Sequence, residues 1–271
     1  MPEGDTIYRT AEVMRRTLGH DELVAGRGRP GGARLERVIG SRTSAVRSRG
    51  KHLLIDFECG LTLHTHMQMK GSWHRYRPGE RWHEDQSTAV AVLETTSAVA
   101  VCFGAPTVEL LETRALPIHP VLAALGPDLL DEEPDIEEAV RRMRAPALAK
   151  ASIAEALLDQ RVVAGIGNVY RSELLARHRI DPFTPVGMVP EPLARQLLAD
   201  GSRLLRANVN GRARVTVPAA TPGDRWAYRR AGRPCRRCGS VIRSTTLGRP
   251  PRRLYWCAEC QQAREGADRV R

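Results

Sequence analysis

Four cysteines near the C-terminus restrict the fold more than any other feature of this 271-residue chain. Cys235 and Cys238 form one Cys-x-x-Cys pair, Cys257 and Cys260 form a second, and 18 residues separate the pairs. This spacing is typical of a tetrahedral zinc site with four thiolate ligands. The segment between the pairs is long enough for a β-hairpin. The sequence therefore predicts one structural Zn²⁺ held by a small hairpin module.

The same region carries almost all of the excess positive charge. From residue 225 to residue 271 there are 13 arginines, no lysine and three acidic residues, a net charge of +10, and the whole chain carries +11. A basic, zinc-stabilised module indicates a polyanionic partner, most simply a nucleic acid. Because arginine-rich segments also serve solubility alone, the charge leaves that alternative open.

Length and composition narrow the class of protein. The chain is long enough for two or three domains, and no run approaches the ~20 apolar residues that span a bilayer. It opens with polar and acidic residues and not with a signal peptide, so we expect a cytosolic protein with no membrane partner. In that reducing compartment, Cys59 and Cys102 are expected to be small core residues.

Hydrophobic spacing predicts a helix over residues 3–18, with Asp5 or Thr6 as its cap and Gly19 at its end. Residues 20–112 read as β-rich. Cys59-Gly60 is predicted to be a two-residue turn between strands. The predicted strands are 52–58, 61–64, 89–94 and 98–103. Beyond residue 115 the predicted helices are 136–143, 152–158, 169–178 and 193–207, followed by a linker at 211–224.

The first residues hold a potential nucleophile. Removal of Met1 is favoured when a small residue such as Pro2 follows, and it leaves Pro2 with a free secondary amine. An α-amino group has a pKa near 8, so an appreciable fraction is neutral at neutral pH. Its attack on an aldehyde-level carbon gives an iminium, which acts as an electron sink. Glu3 is a neighbouring proton donor or acceptor. Many chains begin with Met-Pro, so this feature alone is weak.

Three further motifs are ambiguous on their own. Lys51, in Arg-Gly-Lys-His before an apolar strand, is a phosphate contact, a general acid or a solvated turn residue. Met67, Gln68 and Met69 are flexible side chains that can enter a base stack or simply pack. Asn168 follows Gly-Ile-Gly, a setting for either a phosphate site at a helix start or a tight interhelical turn.

His64 and His66 are not predicted to be a metal pair, because they could face opposite sides of a strand.

Together these motifs resemble the formamidopyrimidine-DNA glycosylase/endonuclease VIII family. The resemblance rests on motifs that follow the family's order over essentially the whole chain: Pro2-Glu3-Gly4, Arg49-Gly50-Lys51, His66-Met-Gln-Met-Lys-Gly71, Leu158-Asp-Gln160, Gly165-Ile-Gly-Asn168-Val-Tyr170 and the four cysteines. It implies an α+β multidomain fold: an N-terminal β-sandwich domain with a leading helix (1–115), a helix-two-turn-helix domain with a linker (116–224) and a Cys₄ zinc-finger β-hairpin (225–271).

The resemblance also implies roles for individual residues. Pro2 is the expected nucleophile, Glu3 its acid/base partner and Lys51 a second catalytic group. Asn168 is expected to bind phosphate at the lesion. Arg252, five residues before Cys257, matches the family's finger arginine. A slip of one residue would give that role to Arg253.

The family's two branches differ at a few positions. Gln68, Met69 and Lys70 resemble the void-filling loop of the endonuclease VIII branch. The formamidopyrimidine branch has Arg-Arg before Phe-Gly, and here Val101-Cys102 stands there. Many members carry Glu at the position of Thr6.

The implied activity is removal of oxidised bases, pyrimidines favoured, and cleavage of abasic sites by β- and δ-elimination. The implied partner is double-stranded DNA with damaged bases or abasic sites, bound by a monomer. Two alternatives stay open at this point: a non-catalytic member that holds abasic or nicked DNA, and a glycosylase for 8-oxoguanine and formamidopyrimidines.

Overall fold

The computed structural model describes residues 2–19, 21–211, 213–218 and 223–262. The chain divides into two compact units, Met1–Ala124 and Leu125–Arg271. Met1, whose removal the sequence predicts, lies outside the described residues, as do part of the predicted linker and the last three of the 13 C-terminal arginines. Within the described ranges, no helix is both long and apolar enough to cross a membrane.

The first unit begins with helix α1, Gly4–Leu18, which confirms the predicted helix. Its apolar stripe, Ile7, Ala11 and Met14, is buried, and the helix ends at Gly19, whose φ of 53° suits glycine. The predicted cap was wrong. The N-cap is Glu3, and Asp5 and Thr6 lie inside the first turn. A polar side chain near a helix start is a weak guide to the cap when tertiary contacts fix the first turn.

Among the residues of the first unit that the structure describes, eight strands form two four-stranded antiparallel sheets, with orders β1-β6-β7-β5 and β2-β3-β4-β8. The strands are β1 Leu23–Gly28, β2 Thr43–Arg49, β3 His52–Phe57, β4 Leu61–His66, β5 Ser72–Tyr76, β6 Ala89–Thr95, β7 Val99–Phe103 and β8 Thr107–Glu112. One apolar core joins residues of both sheets to α1, including Leu53, Leu63, Leu93 and Ala100. The predicted β-sandwich with a leading helix is confirmed.

The predicted strands pair in order along the chain, because β3 pairs with β4 and β6 pairs with β7, each as a hairpin. The turn between β3 and β4 has three residues, 58–60, instead of the predicted two. Cys102 is buried as predicted. The prediction for Cys59 was wrong, because this residue is exposed in that turn, and the chain enters the core only at Phe57 and Leu61 on either side of it.

In its described residues, the second unit has four α-helices and a hairpin. The helices are α2 Ile136–Met143, α3 Ile153–Ala156, α4 Asn168–Arg177 and α5 Glu191–Ala207, and the hairpin strands are β9 Ile242–Leu247 and β10 Arg252–Cys257. Helix α3 begins with a capping box in which Ser152 and Glu155 each bond to the other's backbone N–H. The predicted helical region and the C-terminal hairpin are therefore confirmed.

Candidate active site and metal centre

The N-terminal residues lead directly into α1. Glu3 is completely buried, and its carbonyl oxygen accepts the backbone N–H groups of Thr6 at 2.9 Å and Ile7 at 3.1 Å. Pro2, half-buried, is the residue immediately before it. Because the first helical turn fixes the Glu3 backbone, the Pro2 nitrogen is attached to a rigid element instead of a free tail.

Lys51 lies in the tight turn between β2 and β3. Arg49 and His52 are register partners, so only Gly50 and Lys51 form the turn. Gly50 has a φ of +56°, the positive value that two-residue hairpin turns require at least once. Lys51 is half-buried there, and α1 packs against the two strands that this turn joins.

The loop after β4 exposes three of the predicted residues. Gln68, Met69 and Lys70 are all exposed, and Met69 shows 53% of its surface to solvent. Gln68 has a positive φ of 46°, which is uncommon for a residue other than glycine and typical of functional loops. Of the two alternatives left open for Met67, entry into a base stack or packing, the structure shows packing. This residue is buried in the sandwich core, and its carbonyl accepts the Gly71 N–H at 2.8 Å.

Histidines line the sheet beside Lys51. His64 and His66 are two residues apart on β4 and so face the same side, and both rings lie against His52, with ring centroids 5.0 and 4.6 Å away. The expectation that His64 and His66 could face opposite sides of the strand was therefore wrong. Burial, followed by the nearby His66, lowers the pKa of His52 to about 3. Burial and then the Lys51 charge lower the pKa of His66 to about 4, and burial also lowers the pKa of His64.

The segment before α4 is held by one glutamine. Gln160 donates through Nε2 to the carbonyls of Leu158 and Ile166, each at 2.9 Å, and its Oε1 accepts the Gly165 N–H at 3.2 Å. Gly165 has a φ of 101°, which a side chain would strain. These contacts fix the loop that positions Asn168 at the start of α4.

The second unit brings Asn168 and Arg253 together. Asn168 Nδ2 donates to the Arg253 carbonyl at 2.7 Å, and the same carbonyl accepts from Arg171 at 3.2 Å. Asn168 Oδ1 accepts from Arg171 as well. Arg252 and Arg253 are adjacent on β10, so their side chains face opposite sides of the hairpin, and both are exposed. Only one of them can therefore face a given ligand.

The four cysteines converge as the sequence predicts. The Sγ atoms of Cys235 and Cys260 are 3.8 Å apart, and those of Cys238 and Cys257 are 3.5 Å apart. All four sulfur atoms lie within 4.8 Å of one another. A tetrahedral zinc ion with bonds of about 2.3 Å has sulfur–sulfur edges of ~3.8 Å. The distances between the four sulfur atoms therefore suit a metal ion with bonds of this length.

Glu173, on α4, is a residue that the sequence analysis missed. Its side chain is completely buried, and it accepts backbone N–H groups of Trp226 at 2.7 Å, Ala227 at 2.9 Å and Tyr228 at 2.8 Å. The Thr216 hydroxyl also donates to it. Since an ionised carboxylate only accepts hydrogen bonds, one glutamate joins α4 to the segment that precedes the cysteines.

Glu173→Gln is expected to loosen that segment. The glutamine side chain has an NH₂ group, a hydrogen-bond donor, which would face backbone N–H groups that are donors too. The free energy of opening of residues 226–228 should therefore fall by about 3 kcal/mol. Amide hydrogen exchange of this segment should accelerate about 100-fold. Glu137→Gln, in an exposed pair with Arg195, is the matched control and should leave exchange there unchanged. Equal exchange in both variants would contradict the role of Glu173.

Several arginines of the basic segment are structural. Arg237 donates to the carbonyls of Ala176 and Arg177 at the end of α4, and its guanidinium lies 4.0 Å from the centroid of the Trp226 ring. Arg236 donates to the Arg225 carbonyl at 3.1 Å. The hairpin arginines at positions 243, 249, 252 and 253 are exposed, and so is Arg236 in spite of its backbone contact. Charge in the sequence did not distinguish these two groups.

Comparisons with known proteins agree with this architecture. Residues 1–106 match the formamidopyrimidine-DNA glycosylase N-terminal domain, and residues 125–218 match the formamidopyrimidine-DNA glycosylase H2TH domain. "Probable endonuclease 8 2" of Streptomyces coelicolor is 38% identical over 264 residues, which cover 96% of this chain and 94% of that protein. "DNA-(apurinic or apyrimidinic site) lyase Nei2" of Mycolicibacterium smegmatis is 36% identical, with 97% and 100% coverage.

A solved structure shares the fold. The Lactococcus lactis Fpg in complex with DNA containing an abasic site has a TM-score of 0.81 and 19% identity, and it covers 96% of this chain and 100% of its own. The two matching domains and the relatives above 30% identity establish the class. The chain belongs to the formamidopyrimidine-DNA glycosylase family, in its endonuclease 8-like branch.

Proposed function

We propose that this protein is a bifunctional DNA glycosylase and abasic-site lyase of base excision repair. One observation carries the proposal. Pro2 and the buried Glu3 lead directly into the first helix of a chain that is similar along 97% of its length to a relative named as an abasic-site lyase. A secondary amine fixed to a helix start is suited to imine chemistry at a sugar carbon.

In the proposed mechanism, the unprotonated nitrogen of Pro2 attacks C1′ of the damaged nucleotide. Glu3 transfers a proton to the ring oxygen and the C1′–O4′ bond breaks, which opens the sugar ring. The C1′–base bond also breaks, and the base leaves with its bonding electrons and with the proton that the Pro2 nitrogen gives up. The resulting iminium draws electrons from C2′ and makes its proton acidic. Loss of that proton expels the 3′ phosphate by β-elimination, and δ-elimination then expels the 5′ phosphate. Lys51 is the second catalytic group of this proposal, a cation beside the reacting sugar phosphate.

Binding is proposed to involve phosphates and one flipped nucleotide. Asn168 and Arg252, or Arg253 in its place, would contact phosphates near the lesion. The exposed loop of Gln68, Met69 and Lys70 would enter the base stack and fill the space that the extruded nucleotide leaves. Damaged bases are the easiest to extrude because their stacking or pairing is already weakened.

The four cysteines are proposed to hold one Zn²⁺. All four ligands are thiolates, which leaves no open coordination position, so the ion would supply structure to the hairpin and no catalytic chemistry. The protein is further proposed to act as a monomer on chromosomal DNA in the cytoplasm.

Oxidised pyrimidines are the proposed preferred bases. In the formamidopyrimidine branch an Arg-Arg pair precedes Phe-Gly, whereas here Val101 and Cys102 occupy those positions and are buried in β7. A strand residue in the core cannot read the base opposite the lesion. Gln68, Met69 and Lys70 support the same assignment, because they match the endonuclease VIII type of loop.

A panel of duplexes tests the function. Thymine glycol, dihydrouracil, 8-oxoguanine, a plain abasic site and undamaged DNA would be compared under single-turnover conditions. We expect base release and strand cleavage with both pyrimidine lesions, cleavage at the abasic site, and little reaction with 8-oxoguanine. Binding without cleavage of any duplex would instead identify a non-catalytic family member. Preferential excision of 8-oxoguanine would contradict the proposed base preference.

A further inference from the structure

A set of close polar contacts crosses the sheet that carries Lys51. His64 on β4 and Glu109 on β8 are register partners, and His64 Nδ1 lies 2.9 Å from Glu109 Oε2. On its other edge, His64 Nε2 lies 2.8 Å from His52 Nδ1. His119, which follows the short helical turn after β8, places Nε2 3.3 Å from the same Glu109 oxygen. These four side chains connect β8 to the residue next to Lys51.

The backbone determines which ring nitrogens carry protons. His119 Nδ1 accepts two backbone N–H groups of the turn that follows it, both at 3.3 Å, so the proton of the neutral ring is on Nε2 and faces Glu109. An ionised carboxylate only accepts, so His64 donates to it through Nδ1 and accepts through Nε2. His52 must then donate through Nδ1. This hydrogen-bonded chain of side chains ends at His52 Nε2, an unprotonated nitrogen.

A metal ion bound by these side chains is the alternative to a series of hydrogen bonds. His64, Glu109 and His119 have ligand atoms within 4.8 Å of one another. A histidine ligand must offer the lone pair of its ring nitrogen to the ion. Because the two backbone donors direct the His119 proton to Nε2, that nitrogen has no lone pair to offer. The contacts therefore favour a proton-ordered chain over a metal site.

The hydrogen-bonded chain of side chains ends beside the turn that contains Lys51. His52 is the first residue after the two-residue turn, and it is buried against His64 and His66. The groups that act on His52 electrostatically are His66, His64, His119 and Lys51. The order of protons along this series of hydrogen bonds fixes the orientation of the His52 ring. Because His52 is the strand residue next to Lys51, a fixed ring also holds the turn in which Lys51 lies.

We propose that Glu109 is a positioning residue that orients Lys51 through His64 and His52. The proposal rests on the catalytic role proposed above for Lys51. One oxygen of the Glu109 carboxylate receives N–H groups from two imidazoles at once, and leucine, an apolar side chain of similar size, can accept neither of them. The side chain of Glu109 is 43% exposed, so its replacement should leave the sandwich core intact.

Nuclear magnetic resonance of the nitrogen-15-labelled histidines tests the proton order. In the full-length protein we expect the Nδ1–H tautomer for His52 and His64 and the Nε2–H tautomer for His119. Glu109→Leu, which leaves no acceptor at this position, should remove the preference at His64 and at His52. Glu112→Leu, an exposed change at the end of the same strand, is the matched control and should leave all three tautomers unchanged. Nε2–H tautomers for His52 and His64 in the wild type would overturn the proposal.

Single-turnover cleavage of an abasic duplex tests the link to Lys51. Glu109→Leu should slow cleavage about 10- to 100-fold with unchanged DNA affinity, and Glu112→Leu should have no effect. In a Lys51→Met background, Glu109→Leu should cause no further loss, because the residue through which it acts is gone. Equal losses in both backgrounds would overturn the proposal. An inactive wild type would refute the proposed function instead, and the tautomer measurement is independent of activity.

Discussion

Enzyme that retains Met1 is expected to show neither base excision nor strand cleavage. In that form the Pro2 nitrogen is part of an amide, and its lone pair is delocalised into the carbonyl group. It cannot attack a sugar carbon, so the single-turnover rate should fall on the order of 10³-fold or more. The measurement compares one preparation before and after treatment with methionine aminopeptidase, with mass spectrometry to quantify the fraction that carries Met1.

The matched variant is Pro2→Gly in its processed form. It keeps an amine at the same position, although a primary one, and should retain a measurable part of the activity. Binding to an uncleavable abasic analogue should be similar in all these forms, because the change affects chemistry and not the DNA contacts. Full activity in protein that is shown to retain Met1 would exclude Pro2 as the nucleophile.

Loss of the metal centre is expected to have the second largest effect. Cys257 is buried beside Ala227 and Ile242, and its Sγ lies 3.5 Å from that of Cys238. Zinc binding contributes about 10–16 kcal/mol to the folding of small zinc modules. Cys257→Ser should therefore unfold the hairpin and remove its exposed arginines from DNA. We expect abasic-duplex affinity to fall about 100-fold or more, together with the steepness of its salt dependence.

Cys59→Ser supplies the control for this variant. Cys59 is exposed in the turn between β3 and β4 and belongs to the first unit, so its replacement should leave metal content and affinity unchanged. Metal analysis should give one zinc per chain for the wild type and for Cys59→Ser, and none for Cys257→Ser. Unchanged DNA affinity in metal-free Cys257→Ser would show that the hairpin does not contact DNA.

Local patterns in the sequence predicted the elements well. Helix α2 occupies residues 136–143 as predicted, because its apolar spacing and acidic first turn act within one segment. The cysteine pairs also converge as predicted, since their spacing is itself the geometric constraint. The candidate residues Pro2, Glu3, Lys51 and Asn168 came from the joint occurrence of motifs and not from any one of them. Their roles stay predictions.

The features that the sequence did not reveal depend on contacts between distant segments. Glu173 binds backbone groups more than 50 residues away, and a lone glutamate on a helix gives no signal of this. Met67 enters the core because β4 continues to His66, two residues beyond the predicted end of the strand, and Met67 follows it directly. The chain from His119 to His52 forms only when β3, β4 and β8 become neighbours in one sheet.

The most direct test of the mechanism is to reduce the enzyme–DNA intermediate with borohydride and locate the attachment. The wild type would be mixed with an abasic duplex, reduced, digested with a protease and nuclease, and sequenced by mass spectrometry. Competing amines are few, because the chain has only three lysines, Lys51, Lys70 and Lys150. We predict that the sugar remnant is attached to the nitrogen of Pro2. Attachment to a lysine, or no adduct with enzyme that cleaves the duplex, would contradict the account.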